Sequence, residues 1–291
     1  MHKYFTQLKS KQYQSLVHSF CGRLLVATVT LLAATTVLAN ESGESLGQQD
    51  TYKVAIIIDD LGNNLHHGRA LIDLPYQLTY SFLPNRPYSK KLANMAASYG
   101  KEVMVHLPMQ SAGQSDLGAG ALTMELSQKE FQHTVHLSID SVPHARGVNN
   151  HMGSLLTQHP GHMSWLMEAL SSRADNLYFV DSKTTAQTVA SQIAQEHFIP
   201  NISRDVFLDN TRSEQDIKRQ LKYLTKVAKR KGHAVAIGHP YPMTIKLLTQ
   251  YLPTLLEHNI EIVPVTELIK LNTQQQRWAN LSPKYSKDLT H

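Results

Sequence analysis

The residues Val54-Ala-Ile-Ile-Ile-Asp-Asp60 carry the clearest structural signal in this chain of 291 residues. Five consecutive apolar side chains, three of them isoleucine, end directly on two carboxylates. An alternating pattern would predict a strand with one face in water, whereas a continuous apolar run is typical of a strand covered on both faces. The stretch therefore predicts a buried strand of a parallel sheet with two acidic residues at its carboxyl end.

Similar short apolar runs recur along the chain, separated by amphipathic stretches with helix-capping signals. Ser127-x-x-Glu130 and Ser213-x-x-Asp216 resemble capping boxes, and a glycine follows two predicted helices. Seven or eight strand-helix units predict an α/β fold, either a (β/α) barrel or an open doubly wound sheet. Periodicity alone does not choose between these two. The further strands are predicted at residues 78–83, 103–105, 177–180, 234–237 and 260–263, with weaker ones at 146–148 and 199–203.

The amino terminus predicts export. Residues 1–23 contain four basic side chains and no acid, an apolar run follows at 24–38, and Val37-Leu-Ala39 provides the small residues of a cleavage site. We expect residues 1–39 to be a signal peptide and the mature protein to be periplasmic, without a stable membrane span. A retained membrane anchor is the alternative, although a span usually needs about 20 apolar residues.

Composition divides the remaining chain into three parts. Residues 40–51 are polar and small, which predicts a linker. Residues 52–271 show no composition break and predict a single domain, and residues 272–291 form a polar C-terminal tail. The one cysteine, Cys21, lies in the predicted signal peptide, so the mature chain has neither a disulfide nor a cysteine-ligated metal.

Net charge argues against nucleic acid as a partner. The formal charge is +5, but removing the four basic residues of the signal peptide from the 28 in the chain leaves 24 basic against 23 acidic residues. A nucleic-acid-binding domain normally carries a basic patch. The densest basic stretch, at 218–231, is better explained as the solvated face of a helix.

Polar residues that can bind a metal or move a proton follow most of the apolar runs. Because the carboxyl ends of parallel strands meet at one face, we expect these side chains to converge there. A histidine or an Asp-Asp pair after a strand is also common in ordinary loops and caps. Their recurrence at one face favours a functional site. The residues are Asp59, Asp60, His106, Asn149, Asn150, His151, Asp181, Ser182, Arg204, Asp205 and His239.

Roles follow from the chemistry of a hydrolytic metal site. Such a site needs two or three carboxylate and imidazole ligands and an open position for water. Asp60, His106 and His151 are of the required types. Asp59 is adjacent and is our candidate for the base that takes the proton from water, and His239 is our candidate for the acid that protonates the leaving atom.

A second group of residues is predicted to support the site or bind substrate: Asn150, Asp181, Arg204 and Asp209. An arginine that bridges carboxylates would hold the base in place and tune its pKa. An ordinary structural salt bridge explains the same residues equally well. The sequence contains neither a G-x-S-x-G elbow nor a Walker motif, which argues against serine hydrolases and P-loop enzymes.

Several of these segments, taken in order, resemble the divergent polysaccharide deacetylase family. The resemblance spans residues 52–270 and implies a distorted (β/α) barrel of seven or eight strands, similar to carbohydrate esterases that remove acetyl groups from polysaccharides with a divalent metal, usually zinc. The segments are Ile56-Ile-Ile-Asp-Asp-Leu-Gly62, His106-Leu-Pro-Met109, Gly147-Val-Asn-Asn-His-Met-Gly-Ser154, Phe179-Val-Asp-Ser182, Arg204-Asp-Val-Phe-Leu-Asp209 and Ile237-Gly-His-Pro240.

The resemblance assigns the same roles to four residues and departs from the ordinary pattern at one position. Asp59 resembles the catalytic base, Asp60 the metal-binding aspartate, His106 the first histidine of the second motif, and His239 the general acid. Ordinary deacetylases place a second metal histidine four residues after the first, where this chain has Gln110. His151 would replace it from the next strand.

Two functions remain open from the sequence. The first is a zinc-dependent deacetylase, a C–N hydrolase acting on an acetylated cell-envelope polysaccharide. The second is a noncatalytic, metal-containing periplasmic scaffold that binds a glycan or a partner. Catalytic turnover of an acetylated glycan would distinguish them, and the sequence does not determine the oligomeric state.

Overall fold

The computed structural model describes residues 51–113, 117–118 and 120–281. The predicted signal peptide and nearly all of the predicted linker lie outside these residues. The described chain contains nine strands and eight α-helices. None of these helices has both the length and the apolar character needed to cross a membrane.

Strands and helices alternate from the beginning of the domain, as the sequence predicts. The strands are β1 (Tyr52–Leu61), β2 (Thr79–Phe82), β3 (Glu102–Met109), β4 (Ala145–Met152), β5 (Tyr178–Asp181), β6 (Asn201–Ser203), β7 (Val206–Phe207), β8 (His233–Gly238) and β9 (Ile260–Ile262). The helices are α1 (Leu65–Ile72), α2 (Ser89–Ser98), α3 (Gln128–Ser141), α4 (Pro160–Ser171), α5 (Ala190–Glu196), α6 (Glu214–Lys231), α7 (Pro242–Glu257) and α8 (Val265–Leu281).

All strand pairs are parallel, and the order across the sheet is β6-β5-β4-β3-β2-β1-β8-β7. The strands at the two ends of this order, β6 and β7, are separated in the chain by only Arg204 and Asp205. The Arg204 amide donates to the Asp181 carbonyl at 3.0 Å, and the Asp205 amide donates to the Val235 carbonyl at 2.9 Å. The bent segment that contains β6 and β7 therefore pairs with β5 on one side and with β8 on the other. When β6 and β7 are counted as one, seven strands surround a distorted (β/α) barrel. The predicted barrel is confirmed, and an open doubly wound sheet is excluded.

The amino end of the barrel interior is filled with apolar side chains. β1 pairs with β8 along one edge, while β9 takes the amino-terminal half of the other edge and β2 the carboxyl-terminal half. Helix α8 follows β9 directly, and its residues Leu268 and Ile269 pack into the same cluster as Ala55 and Ile57 of β1. This closes the amino end, so that ligand access is confined to the carboxyl end.

Alternation along β1 explains how a polar site forms on an apolar barrel. Val54, Ile56 and Ile58 pack towards the helices, whereas Ala55 and Ile57 belong to the interior cluster. Each fully buried isoleucine stabilises the fold by about 1.5–3 kcal/mol. The next residue in the interior series is Asp59, which is 2% exposed. The acid therefore sits directly above the apolar filling.

The predicted helix caps are present. Ser127 and Glu130 form a complete capping box at the start of α3, and the Ser213 hydroxyl accepts from the Asp216 amide at the start of α6. Gly232 ends α6 with φ 84°, the left-handed conformation that favours glycine. These local signals were readable because caps depend on neighbours in the chain.

Some element boundaries differ from the predictions. β1, β3 and β4 continue past their apolar runs, so the predicted site residues on them lie within strands instead of in the loops that follow. The polar upper part of the barrel interior accommodates these side chains. Helix α8 continues past residue 272, where the polar tail was predicted to begin.

Candidate active site

Three side chains from three different strands meet at the carboxyl end of the barrel. Asp60 Oδ1 lies 3.2 Å from His106 Nε2 and 3.0 Å from His151 Nδ1. The two ring nitrogens are 3.0 Å apart. The predicted trio of ligands therefore forms a nearly equilateral triangle of one oxygen and two nitrogens, the one cluster of this kind within the described residues.

The triangle fits a small divalent cation. Ligands bound to zinc at about 2.0–2.1 Å in a tetrahedral arrangement are separated by about 3.3 Å, close to the distances found here. Asp60 Oδ1 is buried, yet it accepts no hydrogen bond from the described chain. A buried carboxylate oxygen without such a bond is costly unless a cation satisfies it. The donor set of one carboxylate and two imidazoles matches catalytic zinc sites.

The backbone at Asp60 explains how two adjacent aspartates reach one cavity. In a regular strand, Asp59 and Asp60 would point to opposite faces. Asp60 instead has φ 58°, and the register between β1 and β2 shifts between Ile58 and Leu61. Aspartate tolerates the left-handed region better than most residues do, at a cost on the order of 1 kcal/mol. This local irregularity turns both carboxylates towards the site.

Asn149 links the candidate base to the first histidine ligand. Its Nδ2 donates to Asp59 Oδ1 at 2.8 Å, and its Oδ1 accepts from the Ser81 hydroxyl at 2.7 Å and lies 2.8 Å from His106 Nδ1. With the amide oriented in this way, His106 carries its proton on Nδ1, which leaves the Nε2 lone pair for a metal.

From the sequence, Asn149 was placed among the converging residues, but of the two asparagines only Asn150 was assigned a supporting role. The strand period of two could have found the role of Asn149, because Gly147, Asn149 and His151 alternate onto one face of β4. The Tyr178 ring lies against Gly147, where a Cβ would come within 2.3 Å of it. That face therefore points into the barrel.

Charges in the site oppose the effect of burial. Burial would raise the pKa of Asp60, but the imidazoles of His106 and His151 lower it below the usual range. Burial would lower the pKa of His106, but the charges of Asp59 and Asp60 raise it to about 9. These opposing shifts mean that the two carboxylates favour a positive charge between them. A bound metal would supply that charge, and His106 would bind it as the neutral ring.

His239 is held in place by a buried carboxylate. Its Nδ1 lies 2.8 Å from Asp209 Oδ1, and its backbone amide donates to Asp209 Oδ2 at 2.7 Å. Thr244 donates to the same oxygen at 2.7 Å. His239 Nε2 is 3.8 Å from Asp60 Oδ2, so the free edge of the ring faces the site. Burial would lower the pKa of His239, but the bond to Asp209 and the nearby carboxylates raise it.

The other predicted supporting residues organise the loops around the cavity. Asn150 accepts from the Ser182 amide at 2.8 Å and donates to the Met152 carbonyl at 2.7 Å. Asp181 accepts from the Lys183 amide at 2.8 Å, and burial raises its pKa. Both residues are buried, and Asn150 also lines the cavity of the site. Of the predicted supports, Asp209 is the one that holds a candidate catalytic residue directly.

Arg204 differs from the expectation that it bridges carboxylates. Its Nε donates to the Ser182 carbonyl at 2.6 Å, and its Nη2 donates to the Lys183 carbonyl at 2.7 Å. The bend between β6 and β7 directs the side chain across the loop after β5, where carbonyl groups are the nearest acceptors. The guanidinium lines a cavity of about 180 Å³, together with the residues of the site: Asp59, His106, His151, Phe207 and His239.

The family of this chain follows from comparison with known proteins. The model of the divergent polysaccharide deacetylase family matches residues 56–269. The chain belongs to this family. The resemblance seen in the sequence motifs is therefore confirmed.

Two uncharacterized bacterial proteins are similar to this chain over most of the domain. An uncharacterized protein of Escherichia coli K12, YibQ, is 36% identical over 217 residues, which cover 75% of this chain and 67% of YibQ. An uncharacterized protein of Haemophilus influenzae is 35% identical over 216 residues, covering 74% and 76% of the two chains. The solved structure of an uncharacterized protein from Agrobacterium tumefaciens C58 superimposes with a TM-score of 0.71 at 24% identity, covering 75% of this chain and 89% of its own, and shows the same fold.

Gln110, which stands in place of the usual second histidine, has a structural task in this member of the family. Its side-chain oxygen accepts from the Met124 amide at 2.7 Å, and its backbone carbonyl accepts from the Leu155 and Leu156 amides at 3.2 and 3.1 Å. Gln110 thus ties together the loops after β3 and β4. His151, on β4, lies in the ligand triangle instead.

Proposed function

We propose that this protein is a zinc-dependent deacetylase that removes acetyl groups from an N-acetylated polysaccharide of the cell envelope. The observation that carries the proposal is the triangle of Asp60, His106 and His151, placed between a buried aspartate and a histidine held by a second buried aspartate. The signal peptide predicted at residues 1–39 supports a periplasmic location.

A zinc ion held by these three residues would act as a Lewis acid and lower the pKa of a water molecule. The residues of the chain provide the proton transfers. Asp59 takes a proton from the water as the oxygen of that water attacks the acetyl carbonyl carbon. Asn149 holds Asp59 through a 2.8 Å hydrogen bond, which keeps the acceptor oxygen in place.

His239 completes the reaction as an acid. As the C–N bond breaks, Nε2 of His239 gives a proton to the departing nitrogen, which leaves as an amine while the acetyl group leaves as acetate. Asp209 stabilises the protonated ring, because its bond to His239 and the nearby carboxylates raise the pKa of His239.

The first test measures metal content and turnover on the same samples. The purified domain is loaded with zinc and dialysed, and its metal is quantified by elemental analysis. Release of acetate from tetra-N-acetylchitotetraose and from peptidoglycan fragments is then followed. We expect about one zinc per chain and measurable acetate, with both lost in His106→Ala and His151→Ala. His133→Ala, on α3 away from the site, is the matched control.

Different outcomes separate the two functions left open by the sequence. Zinc loading without acetate release from any acetylated glycan would favour the noncatalytic scaffold. Absence of zinc from the wild-type protein at stoichiometric loading would overturn the proposed metal site. Asp209→Asn should retain its zinc and lose about 10- to 100-fold in kcat, because it removes a support of the acid and leaves the ligands intact.

A further inference from the structure

A second cavity of about 480 Å³ adjoins the candidate active site. Thr184, Arg204 and Phe207 line both cavities and so form the boundary between them. Beyond this boundary the second cavity is lined by Lys183, Asn210 and Gln220. A polysaccharide is longer than one sugar, so an adjoining polar cavity is the natural place for the neighbouring residue of the glycan.

Phe207 provides a flat wall between the two cavities. Its ring centroid is 5.5 Å from the ring of His239, the candidate acid, and 4.9 Å from Cζ of the Arg204 guanidinium. Amide and hydroxyl side chains beside an aromatic ring form the kind of surface that fixes the orientation of a polar ligand. The arrangement therefore suits a sugar that is linked to the one being deacetylated.

The charges of the second cavity favour an anionic ligand. Arg204 uses Nε and Nη2 on carbonyl groups, and within the described residues it forms no ion pair with a carboxylate. Lys183 has its backbone fixed at φ 47° by Asp181 and Arg204, while its side chain is exposed and likewise forms no ion pair in the described chain. The acid of the cavity, Asp205, is already paired with Lys231 at 2.6 Å and with the Val235 amide at 2.9 Å.

We infer that the second cavity is a subsite for a sugar that carries a carboxylate, recognised by Lys183 and Arg204. This inference rests on the proposed function and specifies its substrate as an N-acetylated glycan with a carboxylate on the adjacent sugar. Charge-assisted hydrogen bonds from a guanidinium or ammonium to a carboxylate are the strongest polar contacts available here. A neutral acetylated glycan would offer no ion pair to either cation.

Binding to the zinc-loaded domain tests the subsite independently of turnover. The probe is a tetrasaccharide of alternating N-acetylglucosamine and N-acetylmuramic acid, compared by calorimetry with the same molecule after amidation of its carboxyl groups. We expect the free acid to bind about tenfold more tightly at low salt, with the difference shrinking as salt is raised. A tetrasaccharide of alternating N-acetylglucosamine and glucuronic acid, free and amidated, distinguishes a lactyl carboxylate from a uronic acid.

Variants assign the effect to the named residues. Lys183→Gln removes the positive charge but keeps a polar side chain, and it should reduce the preference for the free acid several-fold. Lys222→Gln, at an exposed lysine on α6, should leave the preference unchanged. Arg204→Gln should reduce the preference further, and its thermal unfolding shows whether the loop after β5 is intact. Lys183→Gln alone decides the question if Arg204→Gln does not fold.

The outcomes separate this inference from the proposed function. Equal binding of free and amidated tetrasaccharides, with no change in Lys183→Gln, would overturn the subsite even if acetate is released from both. A clear preference for the free acid without acetate release would support the subsite and contradict the deacetylase. Kinetics add a further check, because a subsite for an unreactive sugar should appear mainly in KM if it acts through binding alone.

Discussion

Each end of the barrel interior contains a carboxylate that is largely removed from water, and the pKa values of the two are shifted in opposite directions. At the carboxyl end, Asp60 lies beside two imidazoles, which lower its pKa despite burial. At the amino end, Glu102 is 7% exposed and contacts the Thr266 hydroxyl and amide at 3.2 and 3.3 Å. Burial raises the pKa of Glu102, and these contacts only partly offset it.

The comparison shows why the carboxyl end of the barrel forms a site and the amino end is closed. Desolvation acts on both acids, so burial alone does not distinguish them. The difference lies in the partners, since the imidazoles of His106 and His151 contact the Asp60 carboxylate, whereas hydroxyl and amide groups contact Glu102 and the charge of Arg146 offsets its burial only in part. The two ends also differ in access to solvent, because α8 covers the amino end and a cavity of about 180 Å³ remains at the carboxyl end.

The largest expected effect comes from removing the charge at the carboxyl end. Asp60→Gly deletes the ligand while glycine accepts φ 58° without strain, so the backbone is not disturbed. Changing a residue that only supports a ligand costs about 10- to 100-fold in metal affinity or activity, and loss of a ligand should cost more. Zinc content by elemental analysis and acetate release should both fall to background.

A matched control exists for that variant. Asn176 has φ 50° in an exposed turn before β5, at the amino end of the barrel. Asn176→Gly makes the same backbone change without touching the site and should keep full zinc content. If Asp60→Gly retained zinc at the wild-type level, Asp60 would not be a ligand and the comparison of the two ends would lose its basis.

An intermediate effect is expected from Asn149→Ala, which leaves every proposed ligand in place. The change removes the hydrogen bonds that join Asn149 to Asp59, Ser81 and His106. We expect zinc affinity to fall about 10- to 100-fold and the free energy of unfolding to fall by about 1–3 kcal/mol, since buried polar groups lose their partners. Competition with a chelator and urea unfolding provide the two measurements.

Ser81→Ala sharpens the result for Asn149. It removes only one of the bonds that Asn149 accepts, so its effect on zinc affinity should be smaller than that of Asn149→Ala. Equal losses in the two variants would mean that general destabilisation, and not the orientation of His106, explains the weaker binding.

The smallest effect is expected at the amino end and depends on pH. The pKa of Glu102 is raised in the folded state, so its contribution to stability is present below the unfolded pKa, about 4.3, and is lost as pH rises through the folded value. Glu102→Gln removes that loss. The free energy of unfolding of the variant should therefore increase relative to wild type as pH rises from 4.5 to 8. This increase should be smaller than the change of about 1–3 kcal/mol expected for Asn149→Ala.

Urea unfolding at several pH values measures this difference. Glu257→Gln, at an exposed position at the end of α7, should show no such trend with pH. A stability difference between Glu102→Gln and wild type that is constant from pH 4.5 to 8 would contradict the raised pKa and remove one side of the comparison.

Much of the candidate site could be predicted from the sequence. The ends of apolar runs pointed to Asp59, Asp60, His106, His151 and His239, and the structure brings these five side chains around one cavity. Their assignment to metal binding and catalysis stays a prediction, as do the signal peptide and the periplasmic location. Because Gln110 stands where ordinary deacetylases have a second histidine, His151 was predicted to lie beside His106. The two rings are 3.0 Å apart at their nearest nitrogens.

The sequence by itself determined the features that depend on neighbours along the chain: the buried strands, the helix caps and the family motifs. Only the tertiary structure decided that Asn149 joins Asp59 to His106, that Arg204 bonds to carbonyl groups, and that the segment containing β6 and β7 closes the barrel. The physical reason is that each of these depends on which groups from distant strands come within hydrogen-bonding distance. A left-handed residue such as Asp60 adds to this, because it changes the direction of a side chain without changing the pattern of apolar residues.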